Sequence, residues 1–294
     1  MRSLHVSIWT LLAVLTGGAP AFAQQSKLPD GVKVLRDLEY VPGGHERQKL
    51  DLYLPEKADG PLPVVVWVHG GAWKQGSKSG CPGIYLAAKG YAVASVGYRL
   101  SQHAVFPAQI EDCKAAIRWL RANAKKYNLD PEHVGAWGGS AGGHLVALLG
   151  TTAGMKELEG KDGNLDQSSK VQCVVDWFGP TDFRDNKSTD PKGAVAELLG
   201  GLPSKETEKA RLASPLAHVS KDSAPFLIVH GDKDTTVRMS QSESLEEALK
   251  KAGVPVTLIK LEGAGHSGPE FRTPEQQKRI EEFFNRYLKP GKEK

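Results

Sequence analysis

The amino-acid sequence predicts an α/β protein: a mostly parallel, eight-stranded sheet with helices on both faces and a small cap insertion. Three observations predict it. From about residue 34 strand-like and helix-like segments alternate, which is the rhythm of strand–helix–strand crossovers. Several of the strand-like segments are unbroken apolar runs, as strands covered on both faces are. Residues 181–222 interrupt the alternation with a Gly/Pro/charge-mixed insertion long enough to form a helical cap over the ends of the sheet. Composition agrees, since 294 residues that are 40% hydrophobic and 24% charged can bury a sizeable core. With no internal repeat or low-complexity linker, residues 24–294 read as one domain.

The first 23 residues stand apart from that fold. Arg2, the apolar run from Ile8 to Leu15 and Ala21-Phe22-Ala23 are the three regions of a secretory signal peptide, so the mature chain is expected to be secreted or periplasmic. "VLRDLEYV" and "KLDLYLP" then alternate polar and apolar residues, as half-exposed antiparallel edge strands do. "PVVVWVHGG" and "YAVASVGYRL" are buried strands separated by a loop and a helix. "PAQIEDCKAAIRWLRANAKKY" places Ile110, Cys113, Ile117 and Leu120 at helical spacing, with Arg and Lys on the other face and in its last turns. "HVGAWGG" is a short strand that runs into the helix "AGGHLVALLGT". "VQCVVDWFGPTD" and "APFLIVHGDKD" are further buried strands, each ending in a loop that carries an aspartate. "SESLEEALKKAG" is an amphipathic helix closed by Gly253, and "PVTLIKLEG" is the last strand. Thr273 caps the final helix ahead of Pro274.

Charge and cysteine usage exclude some functions. The formal net charge of +4 falls to +3 without Arg2, and there is no dense basic run, so nucleic acid is excluded as a partner. No later segment has the length and apolarity of a membrane span. Cys81, Cys113 and Cys173 include no CxxC pair, which argues against zinc or redox chemistry. In an exported chain they permit one disulfide; Cys81, in a Gly/Ser/Lys loop, and Cys113, on a helix, are the favoured pair. Cys173 lies in an apolar strand as a small buried hydrophobe.

The chemistry concentrates around Ser140. Gly138-Gly139-Ser140-Ala141-Gly142 lies between a strand and a helix, where small neighbours allow a strained turn that presents the serine hydroxyl. A serine needs a histidine as base and a carboxylate to orient it, and after such a turn the chain order is Ser, Asp, His. Of nine histidines only His266 follows the final strand. Asp234 is the preferred acid because it stands further out in its loop than Asp232, which suits turn hydrogen bonds; Asp182 is a third candidate. His144, one helical turn beyond Ser140, is read as a packing or hydrogen-bonding residue. In "HGGAW", Gly71 and Ala72 can turn N–H groups inward, and Ala141 supplies another donor, forming an oxyanion hole whose loss of one donor costs about 3 to 4 kcal/mol of barrier. His69 braces that loop.

These motifs, together with "GYRLSQHAVFPAQIEDCKAAIRWLRANA" and "GAGHS", resemble the α/β-hydrolase superfamily. Within it they resemble the secreted esterases related to hormone-sensitive lipase and to feruloyl and acetyl-xylan esterases, the BD-FAE-like branch. The resemblance covers nearly all of the mature chain. It implies hydrolysis of carboxylic esters without cofactor or metal, with Ser140 as nucleophile, Asp234 as orienting acid and His266 as base. Two departures stand out: Ala72 replaces a third glycine, and Arg238 stands where relatives often have proline. The expected substrates are short-chain acyl or feruloyl and acetyl esters of plant polysaccharide, either free or polysaccharide-linked. Trp73, His103, Phe106, Trp177 and Phe178 are candidate pocket aromatics. The rival readings are a serine peptidase of the prolyl oligopeptidase kind and a catalytically silent binding protein on the same fold.

Overall fold

Side chains alternate along the apolar run Leu62–Val68. Val64, Val66 and Val68 enter one hydrophobic cluster and Val65 and Trp67 another, and all are buried. A strand covered on both faces needs no polar member. The same division recurs further along the chain, where Val174, Phe226 and Ile228 face the first cluster and Val175, Trp177, Leu227 and Val229 the second.

A computed structural model describes residues 28–184 and 188–289; the leader expected at residues 1–23 lies outside the described residues. Eight strands form one sheet: β1 Val32–Glu39, β2 Lys49–Pro55, β3 Leu62–Val68, β4 Ala92–Val96, β5 Leu129–Gly139, β6 Cys173–Trp177, β7 Phe226–Gly231 and β8 Val256–Leu261. Their order is β1-β2-β4-β3-β5-β6-β7-β8. The β1–β2 and β2–β4 pairs are antiparallel and every later pair is parallel. The helices are α1 Ala108–Ala122, α2 Ala124–Tyr127, α3 Ala141–Thr151, α4 Ala194–Leu199, α5 Thr207–Leu212, α6 Ser240–Lys251 and α7 Pro274–Leu288. Ile110 of α1, Leu145 of α3 and Leu245 of α6 cover the first face. Leu86 of a 3-10 helix at Pro82–Lys89 and Ile280 and Phe284 of α7 cover the second. Gly253 follows α6 at φ 76°, and Thr273 Oγ1 accepts the Gln276 N–H at 3.3 Å, so both helix boundaries form where their residue chemistry places them. No helix among the described residues is long and apolar enough to cross a membrane.

Three expectations are corrected. β2 is an interior strand, because it is bonded to both β1 and β4; its polar Asp51 is buried and neutralised by Lys78 at 2.7 Å. On α1, Lys114 and Arg118 are not on a solvent face. Both are buried, and Glu159 receives them at 2.7 and 2.9 Å, because the segment after α3 folds back over that side of the helix. Cys81 and Cys113 do not pair. All three cysteines are free and buried, with Cys81 and Cys173 in the second cluster and Cys113 in the first, across the sheet.

The insertion at 181–222 contains α4, α5 and a 3-10 turn at Pro215–His218. Leu198, Leu199, Ala210 and Ala213 bury against the first cluster, so this segment is packed rather than a solvated loop. The cysteine arrangement makes a prediction. Burial raises all three thiol pKa values, that of Cys81 to about 12, so none is reactive in the folded chain. Thiol titration should find no fast-reacting group natively and three after unfolding, and reductant should leave the melting temperature unchanged. A melting temperature lowered by reductant would contradict this arrangement.

Candidate active site

β5 lies between β3 and β6, with Gly138 opposite Val68 and Gly139 opposite Trp177, so the chain leaves β5 at the centre of the carboxyl edge. There the backbone turns sharply into α3. Ser140 adopts φ 56° and ψ −119°, outside the regions an L-residue normally occupies, at a cost of about 1 to 3 kcal/mol. Two glycines make the turn possible. A Cβ at Gly142 would overlap the Val68 carbonyl, and one at Gly138 would overlap the Gly142 carbonyl. The Ser140 N–H is held by Trp177 O at 2.8 Å.

Ser140 Oγ lies 2.8 Å from His266 Nε2, and His266 Nδ1 lies 2.7 Å from Asp234 Oδ2. The three residues come from the loops after β5, β8 and β7. Asp234 is fully buried at its side chain, while His266 stays partly exposed. Its Oδ1 accepts the backbone N–H groups of Thr236 and Val237 at 2.8 and 2.9 Å, and its Oδ2 also receives His230 Nε2 at 3.1 Å. Four donors thus surround this one carboxylate and fix its orientation. Asp232 accepts the Gly263 N–H at 2.8 Å, and Asp182 is held bidentately by Arg184. Neither reaches His266.

The loop 69–73 runs beside this line. Gly71, Ala72 and Trp73 have φ of 112°, 53° and 57°, and among the described residues no acceptor meets the N–H groups of Gly71, Ala72 or Ala141. Free N–H groups at a strained loop and a helix start beside a serine hydroxyl are an arrangement suited to a developing oxyanion. His69 ties the loop down: its Nδ1 lies 2.7 Å from Gly70 O and its ring stacks on Tyr98 at 4.3 Å. Burial holds it at a pKa of about 4, so it is neutral and Nδ1 carries the hydrogen. His144 is likewise buried and held at about 4. Its Nδ1 accepts Trp73 Nε1–H at 3.2 Å and its Nε2–H donates to Ala213 O at 2.6 Å, which links the loop to the insertion.

Two cavities meet at Ser140. One, about 370 Å³, is walled by Trp67, Trp177, Phe178 and Phe271 with Arg272 at its edge; the other, about 380 Å³, has Trp73, Phe183, Val195, Thr236, Arg238 and Gln241. Trp73, Trp177 and Phe178 therefore border the site. His103 does not: it is exposed, its ring tilted at 39° against His45 with centroids 4.5 Å apart, and its Nδ1 accepts the Leu100 N–H. Phe106 does not either, being buried in the first cluster with its N–H on Leu198 O at 2.7 Å. Both lie on a stretch that turns away to start α1. Sequence reasoning missed Trp67, Phe271 and His230. Trp67 and His230 sit within apolar strand runs where nothing marks a functional side chain, and Phe271 follows His266 in a 3-10 turn whose path has no local signature.

The BD-FAE family model matches residues 50–249. The esterase LipC of Mycobacterium tuberculosis (strain ATCC 25618 / H37Rv) is 36% identical over 237 residues, which cover 76% of this chain and 58% of that relative's length. A truncated carbohydrate esterase from gut microbiota superimposes with a TM-score of 0.83 at 36% identity, covering 87% of this chain and 96% of its own. The acetyl ester-xyloside bifunctional hydrolase of Caldicellulosiruptor lactoaceticus does so with a TM-score of 0.70 at 28% identity, covering 81% and 87%.

Beneath the Ser140 turn lies Asp176 of β6, fully buried. Its Oδ1 accepts the Gly179 N–H at 2.9 Å, and its Oδ2 has no partner among the described residues. Burial raises its pKa to about 7. A carboxyl group raised in the folded state stabilises fully below its unfolded pKa of about 3.9 and loses that contribution as pH rises through 7. His69 and His144, depressed to about 4, act with the opposite sign: their contribution is complete above about 6.5 and is lost as pH falls towards 4. Asp176→Asn should therefore be more stable than wild type at pH 8, by about 4 kcal/mol at most, and equal to it at pH 4. Its loss of stability between pH 6.5 and 4 should also be steeper. Urea unfolding across this range tests the sign, and superimposable curves at pH 8 would refute it.

Proposed function

The chain belongs to the BD-FAE family of α/β-hydrolases, and we propose that it is an exported serine carboxylesterase that removes short acyl, acetyl or feruloyl groups from plant polysaccharide. The observation that carries the reading is the unbroken line from Ser140 Oγ through His266 to Asp234, at 2.8 and 2.7 Å, opening onto a cavity on either side.

Ser140 Oγ attacks the ester carbonyl while His266 Nε2 takes its proton; the imidazolium then gives that proton to the leaving alcohol oxygen. Asp234 keeps hydrogen on Nδ1 and stabilises the imidazolium. The N–H groups of Ala141 and of Gly71 or Ala72 receive the oxyanion, as their lack of other acceptors suits. A water that gives a proton to His266 then attacks the acyl carbon, and the Ser140 Oγ–acyl bond breaks as the imidazolium returns that proton to Oγ, which releases the acid. Cavity chemistry divides the substrate. Trp67, Trp177, Phe178 and Phe271 offer apolar rings to an acyl group, and Thr236, Gln241 and Arg238 offer hydrogen-bonding groups to a sugar. The named activities of the gut carbohydrate esterase and the acetyl ester-xyloside hydrolase support the sugar-ester assignment.

Ser140→Ala should lose at least about 10⁴-fold in kcat/KM on p-nitrophenyl acetate; a variant at wild-type rate would remove Ser140 from the mechanism. Arg238→Ala should raise KM for acetylated xylan about fivefold with little change on p-nitrophenyl acetate, because only the sugar ester reaches the polar cavity. Equal effects on both substrates would place the sugar elsewhere.

A further inference from the structure

We propose that His230 and Ser242 form a positioning relay behind the acid: a buried imidazole, fixed by a buried hydroxyl, that shares the Asp234 oxygen used by His266 and so sets how strongly Asp234 holds it. The inference rests on the esterase reading above and extends it to residues that touch no substrate.

His230 is the penultimate residue of β7, with its side chain fully buried. Its Nε2 lies 3.1 Å from Asp234 Oδ2 and 2.9 Å from Val237 O. Both are acceptors, so Nε2 carries a hydrogen. Its Nδ1 lies 2.7 Å from Ser242 Oγ on α6, whose hydroxyl donates to it. The resulting chain reads Ser242, His230, Asp234, His266, Ser140, a serine–histidine pair on each side of one carboxylate. The halves differ in access. Ser242 and His230 are buried and border neither cavity beside Ser140, so they are positioning residues. Burial lowers the His230 pKa, which keeps the ring neutral near pH 7; Asp234 raises it and His266 lowers it.

The consequence follows from shared charge. Asp234 Oδ2 accepts the His266 Nδ1–H and a share of the His230 Nε2–H, whose other acceptor is Val237 O. A donor from His230 draws charge from that oxygen and weakens its pull on the His266 proton. It also adds to the hold that the Thr236 and Val237 N–H groups already have on Oδ1. Without His230 the full charge of Oδ2 falls on His266, which then binds its proton more tightly and is a poorer acid towards the leaving group.

The test reads His266 directly, by titrating its imidazole nitrogens by NMR in the unliganded protein, beside the pH profile of kcat/KM. His230→Phe keeps a ring and removes the donor. It should raise the His266 pKa by about one unit, move the acid limb of the profile by the same amount, lower kcat about tenfold and leave KM nearly unchanged. His230→Gln, whose amide N–H can reach the same oxygen, should restore most of the wild-type titration. Ser242→Ala should shift His266 the same way by less, and it carries the test if His230→Phe does not fold. An unmoved His266 titration in the folded variants, with only a lower melting temperature, would make the pair merely structural and overturn the relay. If the titration shifts while the wild-type protein hydrolyses no ester, the relay stands and the esterase reading falls.

Discussion

The close approach of α3 to the end of β3 is the constraint on which the site depends. Gly142 lies where any Cβ would overlap the Val68 carbonyl, and Gly138 lies equally close to the Gly142 carbonyl. Only with both glycines can the chain leave β5 and start α3 within one residue, and that residue, Ser140, absorbs the strain at φ 56°. Everything reactive follows from this packing. β3 and β5 are in register at Val68 and Gly138, so the loop after β3 arrives beside the serine. The first N–H groups of α3 point back to the same place.

The buried imidazoles around the site carry no charge at neutral pH. His69 and His144 are buried neutral imidazoles that each spend both ring nitrogens on fixed partners. The Asp234 carboxylate is surrounded by N–H groups, two from backbone and two from imidazoles. A buried charge with this many donors avoids much of the penalty an unpaired one would suffer.

The sheet was legible because its signals are local. Apolar runs, their glycine-rich ends and their alternation with helices appear directly in the residue order, and the turn at Ser140 has a fixed spacing. Chain order also placed Asp234 and His266 after particular strands, and the structure brings both into one hydrogen-bonded line with Ser140. What was not legible depends on which distant segments meet. Lys114 and Arg118 read as a solvated helix face because Glu159, which pairs with them, arrives from a segment more than 40 residues away. Cys81 and Cys113 read as partners because spacing does not say on which face of the sheet each falls. Aromatic type alone did not separate Trp177, at a cavity, from Phe106, in the core.

The loop that carries the Gly71 and Ala72 N–H groups beside Ser140 is strained, and the insertion helps to hold it. Ala72 and Trp73 both lie at positive φ, each disfavoured by about 1 kcal/mol for a residue with a side chain. Burial of Trp73 contributes in the opposite direction, by about 2 kcal/mol or more for so large a ring. Its ring packs edge-on against His144 and Phe183, and its N–H reaches His144. His144 can accept that hydrogen only as the Nε2–H tautomer, and Ala213 O, from the insertion, fixes that tautomer at 2.6 Å. Lys74, next along the loop, pairs with Glu197 of α4 at 2.7 Å. The insertion therefore does more than border a cavity. Its contacts reach the loop whose strain positions Gly71 and Ala72, so the geometry of those N–H groups and the packing of α4 and α5 form one coupled unit.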